Sequence, residues 1–371
     1  MSTHASGNTS SVRARDLGLA FDSQPGTRNA ITDVPGFTVG TVTICEGDNV
    51  RTGVTALLPR GASGVGAAVA AGLHSQNGNG ELTGAHWVNE SGSLNTPIMI
   101  TNTHAVGTVH RGVIEWVATH HGPAAAQWLL PVVGETWDGY LNDINGPHVQ
   151  VAHAFAALDA ASADGALEGS VGGGTGMNCY GLKGGNGTAS RLVRFAGVEY
   201  HVGVFLQANF GRRNELQYRG RPVGRFLSSP CPLETDDWFS QDRRFAGAGS
   251  CIGVVATDAP LLPDQLRALA RRVTHGLART GTAGSHFSGD VFLAVSTANV
   301  GQLDSSFPNG TESLRSMDFV PWGCIDAFFD AVVEASEEAV WNALVANETM
   351  VGREGHRSVA LDHDELRSLL G

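Results

Sequence analysis

Apolar positions in this chain fall mostly into short runs closed off by glycine or proline, with a few stretches at helical spacing. The first two runs, 31–40 and 53–59, are rich in β-branched residues and broken by Pro35, Gly36 and Pro59, so they predict strands and turns. A third run, 97–102, is short enough for a buried strand. Helices are expected at about 107–121 and 147–162, and a partly alternating strand at about 199–208. Residues 250–257 and 291–298 are almost wholly apolar and predict core strands. Between them Leu266, Leu269, Ala270, Val273 and Leu277 share one helical face, with Pro263 in the first turn and Gly281 past the end. A further amphipathic helix is expected from about Ile325 to Leu344. Strands and helices alternate loosely, so the class is mixed α and β.

Three stretches lack such patterning. Residues 1–28 are polar and rich in Ser, Thr and Gly, and are expected to form a flexible leader before a single domain, 29–371. Residues 211–249 are polar and broken by Pro230 and Pro232, which suggests a long exposed segment. Residues 169–188 form a dense glycine loop. No G-x-G-x-x-G can be placed within it, and Lys183 does not stand where the lysine of a phosphate-binding loop would, so a nucleotide site is disfavoured.

Composition narrows the function. The net charge of −12 argues against a nucleic-acid binder, which needs clustered Lys and Arg, and Lys183 is the chain's single lysine. No apolar run is long enough to span a membrane, and the chain is expected to be cytoplasmic. The five cysteines are widely spaced without C-x-x-C, so neither a disulfide framework nor a structural zinc is expected. Fourteen histidines include no H-E-x-x-H, and no G-x-S-x-G is present. Neither metal nor cofactor is expected.

The candidate chemistry lies at Gly249-Ser250, where small residues end the polar segment and a serine opens an apolar strand. On spacing alone, a turn serine before a core strand is the simpler reading. The functional reading is an N-terminal nucleophile: the chain cuts itself before Ser250, whose hydroxyl attacks the Gly249 carbonyl. The freed α-amino group, with a reference pKa of about 7.7–8.0, then serves as base.

Many ordered stretches carry a resemblance. They include 29–36, 53–56, 90–92, 101–104, 131–143, the glycine loop to residue 191, 207–211, Gly249-Ser250, 256–263, 288–290, 296–299 and 342–353. Together they resemble the L-aminopeptidase/D-amidase-esterase and β-peptidyl aminopeptidase family, distantly related in fold to ornithine acetyltransferase. The resemblance implies a four-layer α/β/β/α sandwich cut into an α-chain, 1–249, and a β-chain, 250–371. It also implies a homotetramer and hydrolysis of short peptides, amino-acid amides or esters, with β-amino acids within range. Ser250 resembles the cleavage-site nucleophile, Ser288 and Asp290 a supporting serine and carboxylate that orient and polarise it, and Asn209 the oxyanion donor. Tyr140 is grouped with the catalytic residues and, with Trp137, walls a pocket in which Glu135 receives the substrate's free amine. Without the resemblance, Ser288-Gly289-Asp290 reads as a turn, Asn209 as a strand end, and Glu135, Trp137 and Tyr140 as a turn with two core aromatics. Cys251 is expected as a buried core thiol. Alternatives are an acyltransferase of the ornithine acetyltransferase type and an uncleaved, non-enzymatic homologue.

Overall fold

A computed structural model describes residues 12–235, 249–307 and 313–371. The principal strands are β1 (Thr38–Glu46), β2 (Val50–Leu58), β3 (Val69–Ser75), β4 (Ser93–Leu94), β5 (Ile98–Asn102) and β6 (Val132–Thr136). A small hairpin, β7 (Asn178–Cys179) and β8 (Leu182–Lys183), follows. Then come β9 (Gly185–Phe195), β10 (Val198–Asn209), β11 (Gly249–Thr257) and β12 (Ser288–Ser296). The order β1-β2-β5-β6 makes one sheet and β4-β3-β12-β11-β10-β9 the other. The principal helices are α1 (Ala85–Ser91), α2 (Val106–His120), the single turn α3 (Gly122–Ala125), α4 (Val151–Asp159), the single turn α5 (Pro232–Thr235), α6 (Pro263–Arg279) and α7 (Asp326–Val345).

The side-chain parity of β11 shows how the layers assemble, because successive residues of a strand face opposite sides. Ile252, Val254 and Ala256 pack between the sheets against Leu57, Ile98, Ile100 and Val132. Cys251 and Val255 belong to an outer core with Leu266, Leu269 and Val273 of α6 and Val332, Ala335 and Ala339 of α7. On the far side, Val54, Met99 and Val133 meet Val109, Val113 and Trp116 of α2 and Ala154 and Leu158 of α4. The result is the expected α/β/β/α sandwich. A strand covered on both faces has no polar alternation, which is why 250–257 reads as a continuous apolar run.

Several expectations are corrected. The leader is not loose where it is described: Leu17, Leu19 and Phe21 are buried, Arg13 pairs with Glu168, and Arg15 pairs with Glu338 of α7. Residues 1–11 lie outside the described residues. The strand expected from residue 31 begins at Thr38, because Ile31–Asp33 form a 3-10 turn held by the Asp33 carboxylate. The helix expected at 147–162 is only Val151–Asp159. In the segment expected to be exposed, Arg213, Leu216, Tyr218 and Val223 are buried, and 236–248 lie outside the described residues. The glycine loop ends as strand: β9 starts at Gly185. A Cβ at Gly187 would lie 1.9 Å from the Ala339 carbonyl of α7, so the missing side chain lets the helix pack against the strand.

Candidate active site

Parity also aims the Ser250 side chain. It shares a face with Ile252 and Val254, so it turns from the head of β11 toward the opposite sheet, with 2% of the residue exposed. There its Oγ accepts the Trp137 backbone N–H at 3.1 Å, from the chain just past β6. Antiparallel pairing with β10 sets Asn209 opposite Ser250, and the Asn209 Nδ2 donates to the same Oγ at 3.3 Å and to the Trp137 carbonyl at 2.9 Å. The amide cannot be turned over, because its Oδ1 accepts the Asn178 N–H at 2.8 Å. Two neutral donors therefore converge on one serine oxygen. Such an arrangement can stabilise negative charge on oxygen without a metal.

Ser288 and Asp290 form a second group beside the first. The parallel register of β11 and β12 sets Gly249 against Ser288 and Ser250 against Gly289. The Ser288 hydroxyl donates to Asp290 Oδ1 at 2.7 Å, and Asn77 Nδ2 donates to Oδ2 at 3.1 Å. Burial raises the Asp290 pKa, and those two hydrogen bonds pull it back. Both side chains alternate with Val291 and Leu293, so they lie on the other face from the Ser250 hydroxyl. Among the described residues neither bonds that hydroxyl. The backbone around Gly249 and Ser250 is what the strand pairing sets beside them.

Glu135, near the end of β6, is 3% exposed. Its Oε1 accepts the Glu81 N–H at 3.0 Å and its Oε2 the Thr103 hydroxyl. Burial raises its pKa, opposed by those two donors. Both are neutral, and no cation is bonded to the carboxylate among the described residues. A Cβ at Gly80 would lie 3.3 Å from Glu135 Oε1 and 3.0 Å from the Gly289 Cα, so the carboxylate lies close to the Ser288–Asp290 segment. The Trp137 backbone supplies both an N–H and a carbonyl to the Ser250–Asn209 pair. Tyr140 is buried, stacks on His356 with ring centroids 4.7 Å apart, and donates to the Arg357 carbonyl at 3.4 Å. Cys251 is buried as expected, with a thiol pKa pushed well up by burial.

Sequence reasoning assigned no role to Asn77, Glu81, Thr103 or the Trp137 N–H. The first three are single polar groups in connecting segments and leave no periodic signal. Nor does a sequence reveal which backbone N–H groups are left over at a strand end. Among the described residues no group of His, Cys, Asp and Glu could hold a metal ion.

Two packed sheets between helical layers, with a serine heading a central strand under two neutral donors, define a hydrolase of the N-terminal-nucleophile architecture. The pattern of peptidase family S58 matches residues 29–358. The chain is 45% identical over 370 residues to the beta-peptidyl aminopeptidase BapA of Sphingosinicella microcystinivorans, covering 96% of this chain and 91% of that protein. Among solved structures it resembles the L-aminopeptidase D-Ala-esterase/amidase of Ochrobactrum anthropi, a serine aminopeptidase with a variant of the same fold. There the TM-score is 0.87 and the identity 42%, over 96% of this chain and 98% of that one. A Burkholderia beta-aminopeptidase matches with a TM-score of 0.86 and 42% identity, over 97% and 98%. The chain belongs to peptidase family S58 and is a serine aminopeptidase, a hydrolase whose homologues act on peptide or amide substrates.

Proposed function

We propose that the chain cuts itself between Gly249 and Ser250 and that the freed serine removes the N-terminal residue of short peptides, amino-acid amides or esters. The observation that carries this reading is the Ser250 hydroxyl, held by Asn209 and the Trp137 N–H at the head of β11. In self-cleavage, Oγ bonds to the Gly249 carbonyl carbon, the Gly249–Ser250 C–N bond breaks, and the hydroxyl proton passes to the departing nitrogen. Water then hydrolyses the ester and leaves a Gly249 carboxylate and a free Ser250. In turnover, the new α-amine takes the hydroxyl proton while Oγ forms the acyl-enzyme. Asn209 is the oxyanion donor. Ser288 and Asp290 hold the α-amine of Ser250 in place: they stand on β12 on either side of Gly289, the residue paired with Ser250.

Glu135 receives the substrate's ammonium, which a buried carboxylate whose hydrogen-bond donors are both neutral suits; by family resemblance Trp137 and Tyr140 wall that pocket. Relatives named for beta-peptidyl activity bring β-amino acids into the substrate range. Cytoplasmic residence and a homotetramer belong to the same proposal. No helix among the described residues is long and apolar enough to cross a membrane. Amino-acid p-nitroanilides, free and N-acetylated, test the reading. Free substrates should be hydrolysed with or without chelator and acetylated ones left intact; equal hydrolysis of both would remove the aminopeptidase assignment.

A further inference from the structure

The chain's single lysine is buried in the hairpin beside the site, and no step above uses it. Lys183 Nζ donates to the Met177 carbonyl at 2.7 Å and to the Gly184 carbonyl at 2.7 Å. No carboxylate pairs with it among the described residues, and its ionisable neighbours are the thiols Cys45 and Cys179. A buried cation without a counter-ion is costly, and burial lowers the Lys183 pKa to about 7. Such a group needs a reason to be there.

The Met177 carbonyl and the Asn178 N–H belong to one peptide unit. Lys183 holds its oxygen, joined by the Gly184 N–H at 2.9 Å, while its N–H donates to Asn209 Oδ1 at 2.8 Å. Asn209 Nδ2 continues to Ser250 Oγ. A donor at the carbonyl polarises the peptide and strengthens its N–H, which in turn makes the Asn209 amide a better donor at its other end. The same bonds fix which way the amide points.

We propose that Lys183 is a positioning residue for the oxyanion: it locks the 177–178 peptide so that Asn209 presents its amide N–H to the substrate carbonyl oxygen, which becomes negative when Ser250 Oγ attacks. The proposal rests on the oxyanion reading of Asn209. A purely structural role predicts something different, since Lys183 also braces Gly184, and its own carbonyl is held by Asn347.

A double-mutant cycle separates the two. Lys183→Met and Lys183→Gln should each lower kcat by about tenfold to a hundredfold with KM changed less than about twofold, the scale of a displaced catalytic group. In an Asn209→Ala background, Lys183→Met should lower kcat by less than about twofold further. Losses that multiply, or a change confined to KM, would overturn the relay. An Asn209→Ala variant with wild-type kcat would instead overturn the oxyanion reading, and the relay with it. The wild-type protein supplies a second measurement that does not depend on variants folding. Because there is one lysine, protein labelled with 13C at lysine Cε gives one lysine resonance. Its titration midpoint should move upward when an amino-acid boronic acid forms a negative tetrahedral adduct on Ser250. An adduct proved by mass with an unmoved midpoint refutes the proposal, and absence of an adduct removes the nucleophile reading beneath it.

Discussion

Replacing Asn209 by alanine removes one of the two donors on Ser250 Oγ and leaves the Trp137 N–H. Loss of a single oxyanion donor lowers kcat by roughly 10²–10³, or about 2.7–4 kcal/mol of transition-state stabilisation, with little change in KM. The same truncation deprives the Asn178 N–H of its acceptor and the Trp137 carbonyl of a donor. A buried group left unpaired costs about 1–3 kcal/mol, so the variant also loses stability. The two effects must be measured apart. Thermal unfolding followed by circular dichroism gives the stability loss, and active-site titration of the folded protein gives a kcat per competent site. The kcat loss should survive this correction. A variant whose loss vanishes after correction, or appears only in KM, would refute the oxyanion assignment.

Glu135→Gln keeps the shape of the amine pocket but removes its charge, so KM for amino-acid amides should rise by roughly tenfold or more, as loss of a charge-assisted bond of about 1.5–3 kcal/mol requires. An unchanged KM would place the ammonium elsewhere. At Gly249 an added Cβ would lie 2.0 Å from the Asn209 carbonyl oxygen, so Gly249→Ala should displace the head of β11 and slow processing at least tenfold in a time course of freshly folded protein. Processing at the wild-type rate would contradict that close approach. Asp138, which accepts from Asn142 at 3.0 Å, is held by burial at a pKa of about 7, above its unfolded value of about 3.9. Its raised folded pKa contributes stability that is fully present below about pH 4 and is lost as pH rises through about 7, at about 1.4 kcal/mol per pH unit between. Urea unfolding of wild type and Asp138→Asn across that window should show the slope in the first and its loss in the second; equal slopes would exclude Asp138 as the source.

The elements legible in the sequence were those whose burial leaves a simple trace. Strands β11 and β12 are covered on both sides and read as apolar runs, and α6 shows its buried stripe between Pro263 and Gly281. What misled was composition standing in for packing. Glycines that suggested a loop at 185–187 admit α7 against β9, and β3, with Ala70, Ala71 and Gly72, carries too little side chain to show an alternation. Leu17, Leu19 and Phe21 bury against the core from within a polar stretch whose average hid them. In the site, Ser250 stood out as the small polar residue that opens an apolar strand, whereas Asn209 and Glu135 were found through family resemblance, because isolated polar residues at strand ends have no period of their own. Their convergence depends on a register, Asn209 opposite Ser250, that only the folded sheet displays.

The central claim is that one hydroxyl, that of Ser250, performs both self-cleavage and hydrolysis. Intact-mass spectrometry of purified wild-type and Ser250→Ala protein tests it most directly. Wild type should consist of two chains, of 249 and 371 − 249 = 122 residues, the smaller beginning at Ser250, and Ser250→Ala a single inactive chain of 371. An active wild-type enzyme that remains one chain, or a Ser250→Ala protein cut at the same bond, would contradict the account.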